Sequence, residues 1–163
     1  MMNTNKQEKY DEITDFHKGF ACVRQGDKWG YINEKGTLIT PIKYDFVYDF
    51  FQGVAMVRIG AQYGLIDTSG KEITPVKYDL IDDNDFYNHR PAAALLNGKW
   101  GFINQKGEQI IPFLYDDASY FTEGLALVKK ALNMVISMTK TKPSSLLFMT
   151  MGLSLRMVKR GYR

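Results

Sequence analysis

The sequence predicts an all-β fold: tandem three-stranded β-meander modules of about 34 residues, stacked as an open array, with a propeller-like ring as the competing geometry. Three observations predict it. First, Trp29-Gly30-Tyr31-Ile32-Asn33 returns as Tyr63-Gly64-Leu65-Ile66-Asp67 and as Trp100-Gly101-Phe102-Ile103-Asn104. Gly30 and Gly64 are 34 residues apart, and Gly64 and Gly101 are 37 apart, the extra length falling in 82–89. Second, the apolar runs are of strand length and are bounded by turn residues, with no 3.6-residue period before residue 130. Third, propeller blades run about 40–45 residues with four strands, longer than this period, which favours the open stack.

Each module opens on a Tyr-Asp pair: Tyr10-Asp11, Tyr44-Asp45, Tyr78-Asp79 and Tyr115-Asp116. An aromatic-to-glycine segment follows, Phe16 to Gly19, Phe50 to Gly53 and Phe121 to Gly124. The first strand comes next: Phe20-Ala21-Cys22-Val23, Val54-Ala55-Met56-Val57, Leu125-Ala126-Leu127-Val128. These strands are apolar on both faces, as a strand buried between neighbours must be. The link carries Gly26, Gly60 or Asn97-Gly98, and Asn-Gly is a strong signal for a two-residue hairpin. The second strand alternates, with Trp29 and Tyr31 on one face and Gly30 and Ile32 on the other. Asn33, Asp67 or Asn104 starts the next turn, and Gly36, Gly70 or Gly107 closes it three residues later, the pattern of a type I turn followed by a left-handed residue. The third strand ends at Pro41, Pro75 or Pro112, since proline removes a ladder donor. The resulting boundaries are a disordered lead over 1–9 and an array over 10–130. The array divides into 10–43, 44–77, 78–114 and a partial 115–130. A non-repeat basic tail follows over 131–163.

A glycine inside a strand marks the close approach of something else. The expectation is that a ring from the adjacent module, Tyr44, Tyr78 or Tyr115, covers the bare backbone. The competing expectation makes the aromatics a ligand platform. Packing is the stronger reading, because one repeat cannot bury its apolar face alone. The recurring Asp of each Tyr-Asp pair is expected to accept hydrogen bonds from turn backbone.

These residues closely resemble the WG-repeat family of bacterial proteins. Lys28-Trp29-Gly30-Tyr31-Ile32-Asn33 and Lys99-Trp100-Gly101-Phe102-Ile103-Asn104 match its core; Gln62-Tyr63-Gly64 replaces the Lys and the Trp. The resemblance runs from residue 10 to about 130. It implies a β-repeat array and brings no catalytic residues with it.

At Lys130 the motif stops. Residues 131–163 hold six of the 21 Lys and Arg, five of the eight Met and no acid, so the remaining body is slightly acidic. Read one base out of frame, Met134-Val135 must encode glycine, and Met138-Thr139 and Met149-Thr150 must each encode aspartate. Synonymous codons allow a further Tyr-Gly-Tyr-Ile-Asp repeat in order. The expectation is that a frameshift near residue 130 truncated the array; the DNA sequence there tests it. The alternative is a genuine basic amphipathic segment for a membrane surface. The frameshift reading predicts an unpaired edge and a weakly ordered or opportunistically helical end.

The chemistry is short of parts. Catalytic, cofactor-binding and metal residues are all expected to be none, and the protein is expected not to be an enzyme. Cys22 is alone and reads as a small core residue. His17 and His89 lie far apart in connectors. Asp82-Asp83-Asn84-Asp85 fails the calcium-loop pattern, which needs glycine and glutamate where Asn88 and Ala94 stand. No phosphate loop, nucleophile elbow or His-Glu-x-x-His occurs. A slightly acidic body argues against nucleic acid. The longest apolar run, Leu146–Leu155, is half what a membrane span needs, so no stable membrane insertion is expected. A polar N-terminus without a signal-like segment leads to a cytoplasmic expectation, with envelope association if residues are missing before Met1. The leading expectation is a non-enzymatic repeat scaffold for a protein or peptide partner. The alternative is a cell-envelope glycan stacked on exposed rings, a reading that needs Trp29 and Trp100 open to solvent.

Overall fold

The structure, a computed structural model, describes residues 9–83, 91–122, 125–130 and 133–138. These residues form β-sheets joined by turns, in two compact units, residues 1–77 and 78–163. Of the expected lead, only Lys9 is described; residues 131–132 and 139–163 of the expected tail lie outside the described residues.

In the first unit, β1 (Glu12–Ile13), β2 (Phe20–Gln25) and β3 (Lys28–Asn33) make one sheet in that order. A second sheet orders β4 (Phe46–Val47), β5 (Val54–Ile59), β6 (Gln62–Asp67) and β7 (Glu72–Tyr78). The central hairpins are in register: Val23 opposes Gly30, and Val57 opposes Gly64. Two-residue links join these hairpins, with Gly26 and Gly60 at φ 60° and 61°. The expected three-stranded meander gains a short outer strand. The residues just after each Tyr-Asp pair fold back onto the first long strand, where Phe46 pairs with Arg58 and Val47 with Val57. In the first sheet the same place is taken by Glu12 opposite Arg24.

The two sheets shelter one another. Cys22 and Tyr31 from the first share a core with Val47, Ala55, Val57 and Ile66 from the second. Phe50 is the wedge between them, its ring 4.6 Å from Phe20 and 4.8 Å from Tyr31. Burying a ring of this size contributes about 2 kcal/mol. The Tyr31 hydroxyl donates to the Tyr48 carbonyl at 2.5 Å, so the partly polar ring enters the core satisfied. Lys43 and Glu72 pair at 3.0 Å on the surface.

In the second unit, β8 (Leu80–Ile81), β9 (Ala92–Leu96), β10 (Lys99–Ile103) and β11 (Gln109–Tyr115) form a sheet in that spatial sequence. Asn97 and Gly98 turn its central hairpin at φ 53° and 72°. Both residues of such a turn need the left-handed region, which Asn-Gly supplies at low cost. A last sheet orders β12 (Asp117–Thr122), β13 (Leu125–Lys130) and β14 (Asn133–Met138). Its Ala126 and Val128 share a core with Ala93, Phe102, Ile111 and Tyr115.

Strand β14 differs from the expected end of the array. Residues 133–138 are a strand, and they pair along the whole of β13. Val135 opposes Val128, the register position that Gly30 and Gly64 hold opposite Val23 and Val57. The out-of-frame glycine codon of Met134-Val135 falls at this same position. Strand pairing is made by backbone groups, so a sequence without the motif can still fill the slot.

The glycine after each aromatic is a point of close approach, but tyrosine is not what covers it. A Cβ on Gly30 would lie 3.2 Å from Ile42 and from the Pro41 carbonyl oxygen. On Gly64 it would lie 2.9 Å from Val76, and on Gly101 2.8 Å from Phe113 and the Ile111 carbonyl. The covering segment lies just past the proline of the same module. After β3 it makes only isolated bridges, Leu38 with Ile32 and Tyr44 with Trp29. Strands β7 and β11 do not end at Pro75 and Pro112 as expected but run on through them. There the register slips: Phe102 opposes Ile111, yet Trp100 opposes Tyr115. The extra residues bulge onto the glycine. Thr40 and Thr74, buried in the first two modules, accept from the Tyr31 and Leu65 N–H groups at 3.2 and 3.0 Å. The tyrosines are buried in the cores beside the bulges.

Candidate functional site

Two layers of residues recur through the modules: a latch that holds each hairpin, and a row of side chains crossing each sheet beside it. The latch is the Asp of the Tyr-Asp pair. Asp11 accepts from Gly26 N–H at 2.6 Å, Asp45 from Gly60 N–H at 2.5 Å, and Asp79 from Gly98 N–H at 3.3 Å. Lys28 pairs with the other oxygen of Asp45, and Lys99 pairs with Asp116. These contacts hold the partly exposed Asp45 carboxyl below its usual range, Lys28 first and the Gly60 N–H second. Gln62, which replaces the lysine, donates to the Lys77 carbonyl at 3.3 Å. The expected role of the Asp as a partner for turn backbone is therefore present. The second turns are built alike: Asp67 takes Ser69 and Lys71, and Asn104 takes Lys106 and Glu108. Hydrogen bonding by Ser69 lowers the Asp67 carboxyl.

The row begins at the residue after each Tyr-Asp pair. Glu12 opposes Arg24, which opposes Trp29. Phe46 opposes Arg58, which opposes Tyr63. Leu80 opposes Leu95, which opposes Trp100. Asp117 opposes Lys129, which opposes Met134. Directly opposed residues share a face, so each of the first three sets lines one side of its sheet, as do Asp117 and Lys129 in the last. The scaffold around the row is constant, and the row itself is not.

In the first module the row is closed by charge: Arg24 bonds Glu12 at 3.0 Å and stands 5.9 Å over the Trp29 ring. In the second, phenylalanine replaces the glutamate. Phe46 is 45% exposed, Arg58 lies 5.7 Å over its ring, and Tyr48 meets it edge-on at 5.1 Å. The Arg58 Nε is buried and has no hydrogen-bond partner among the described residues. In the third module Leu80 takes the same place and is 40% exposed.

Trp29 and Trp100 are half-buried and pack against the cores of their respective units. Cys22 is buried, with its Sγ 3.9 Å from an Asp49 carboxylate oxygen. Desolvation first, and the Asp49 charge second, push its thiol up to about 11. A thiol held neutral is a poor nucleophile and a poor metal ligand. His17 is exposed at a bridge to Phe20. Asp82 and Asp83 are described; the rest of the acidic insertion and His89 lie outside the described residues. Among the described residues no group of three or more His, Cys, Asp or Glu is placed to hold a metal ion. No described helix is long and apolar enough to cross a membrane. Reading the sequence alone missed the row. The available signal was the residue after each Tyr-Asp pair, which runs Glu12, Phe46, Leu80, Asp117 while its neighbours repeat.

Sheets of one design, repeating a latch and a glycine contact, define a tandem β-repeat protein. The chain belongs to the family described as WG containing repeat, which it matches over residues 9–29, 29–62, 63–100 and 100–131. No curated protein matches. Among solved structures the chain is similar to "KlHsv2 with loop 6CD replaced by a Gly-Ser linker", at 10% identity and a TM-score of 0.39. That likeness covers 77% of this chain and 48% of the other, so the chain spans about half that protein's length.

Proposed function

We propose that the chain is a non-enzymatic β-repeat scaffold that binds a protein or peptide partner through the divergent row. The observation that carries the reading is the exchange of Glu12 for Phe46 beside an otherwise equivalent arginine. In the first module a carboxylate satisfies Arg24. In the second, Arg58 is left with an exposed ring and an unpaired Nε. An exposed aromatic stacked by arginine is the composition of a protein-interface anchor. Phe46 stands where Glu12 stands, so the second module offers a partner a ring and a cation in place of an internal ion pair. The packing of Trp29 and Trp100 onto the cores supports this reading over the glycan alternative, which requires open rings.

Random-peptide phage display against the full chain tests it. Peptides that pair an acidic residue with an apolar one are expected to enrich, and to be lost on Phe46→Ser and Arg58→Ala variants whose circular dichroism is unchanged. Enrichment that survives both substitutions overturns the reading, as does binding confined to a glycan array.

A further inference from the structure

We propose that the outer face of the last sheet, β12-β13-β14, is a self-association surface that docks a second copy of this chain through the same face. The argument starts from equivalence. Leu127 holds the strand position of Cys22, Met56 and Ala93. Those three are 5%, 1% and 3% exposed, whereas Leu127 is 40% exposed. Ala126 and Val128, its neighbours on the same strand, are buried in the core of the second unit. Alternation therefore places Leu127 on the opposite face, together with Lys129. The kind of residue that is sheltered in three modules is in contact with solvent in the fourth.

The occupant follows from the charges on this face. Asp117 and Lys129 are opposed in register. The two are not ion-paired to each other, and among the described residues the Asp117 carboxylate accepts from the neighbouring Ala118 N–H, at 2.9 Å. A shallow depression of about 230 Å³ opens beside them, lined by Ala118, Ser119 and Leu127 among others. One acid and one base side by side next to an exposed leucine form a self-complementary set. A two-fold axis lying in the face, along the strands and between β12 and β13, lays β12 of one copy over β13 of the other. Asp117 of each copy then meets Lys129 of the other, and Leu127 meets the segment of Ser119 and Tyr120. Tyr120, 63% exposed, supplies the interface ring. This is the isologous arrangement that closes on itself and does not propagate.

Sedimentation velocity of the full chain over a concentration series tests it, with four variants. The expected result is a monomer–dimer equilibrium weakened at least about tenfold by Leu127→Glu and by Asp117→Lys, as for a truncated interface anchor or a like-charge contact. Asp117→Lys combined with Lys129→Asp is expected to restore the dimer, because the swapped pair is again complementary. Lys106→Glu, in the exposed turn after β10, is expected to leave it unchanged. A monomer at every concentration overturns the proposal, and so does a dimer indifferent to Leu127→Glu. Failure of the double swap to rescue overturns the paired geometry. Circular dichroism of each variant separates loss of dimer from loss of fold.

Discussion

The carbonyl oxygen of Ile39 occupies the place a side chain on Gly70 would need: a Cβ there would lie 2.2 Å from it. Gly70 closes the second-module turn, and Ile39 belongs to the segment that follows β3 in the first module, so the contact fixes how neighbouring modules approach. Gly70 also stands at φ +82°, where other L-residues are strained. Gly70→Ala is expected to destabilise by about 3 kcal/mol or more, from steric displacement added to backbone strain. Gly26→Ala is the control: φ is +60°, but nothing lies within 4 Å. It should cost about 1–2 kcal/mol. Urea unfolding of both variants checks the difference, and equal losses would remove the inter-module contact from the account.

Gly64 tests the second close approach. Its Cβ would press on the Val76 backbone, which cannot swing aside as a side chain can. Gly64→Val should cost about 2–4 kcal/mol, in the range of severe overpacking. An unchanged thermal midpoint would mean the bulge is free to move and the glycine is not required.

The Tyr31 hydroxyl reaches from strand β3 of the first module to the Tyr48 carbonyl of the second. Leu65 and Phe102 hold the equivalent positions without a hydroxyl. Tyr31→Phe keeps the ring against Phe50 and removes only the donor to Tyr48. The expected loss is about 1 kcal/mol, the net worth of one such bond. Phe50→Ala removes the wedge itself and should cost about 3–5 kcal/mol. Denaturant melts of the two variants give the ratio of polar to apolar anchoring between these modules.

The sequence was most informative where one residue type admits one backbone geometry. Asn97-Gly98 and the turn glycines were legible because their conformations are intrinsic to those residues. The glycine after Trp29 or Trp100 was legible as a contact, yet its partner was not. Phe113 reaches it through a register slip after proline, with Ile42 and Val76 at the same place past theirs, and a slip of that kind leaves no one-dimensional pattern. Strand β14 was illegible for the opposite reason. Its residues carry no motif, while the open backbone groups of β13 accept any chain that can extend. The divergent row was hidden by the repeat itself: Phe46 and Leu80 read as ordinary apolar residues until pairing placed them opposite Arg58 and Leu95.

On the acid side, Asp45 and Asp67 both have lowered carboxyls, through Lys28 and Ser69 respectively. A carboxyl depressed in the folded state supports folding above its unfolded value, near pH 4, and loses that support as pH falls through the folded value. The thermal midpoint should therefore drop below about pH 4, and Asp45→Asn should flatten that drop. Both groups are partly exposed at the surface, so salt should weaken the effect. A midpoint with the same acid slope in wild type and Asp45→Asn would exclude the latch as its source.

On the alkaline side the sign reverses. The Cys22 thiol is raised from the ordinary 9.0 to about 11, chiefly by burial. The unfolded chain releases that proton first, so ionisation draws the equilibrium toward unfolding as pH rises. Stability from this group is complete below about pH 8 and is lost progressively up to the folded value. Desolvation likewise raises Tyr44, Tyr78 and Tyr115, which extends the loss above about pH 10. Urea midpoints measured from pH 8 to 11 should fall for the wild type, and Cys22→Ala should fall later, leaving the tyrosine part. Iodoacetamide at pH 8 should label the folded thiol far more slowly than the same thiol in urea, because the thiolate is the reacting form. Equal labelling rates would show that Cys22 is neither buried nor held neutral by the packing of the first two sheets.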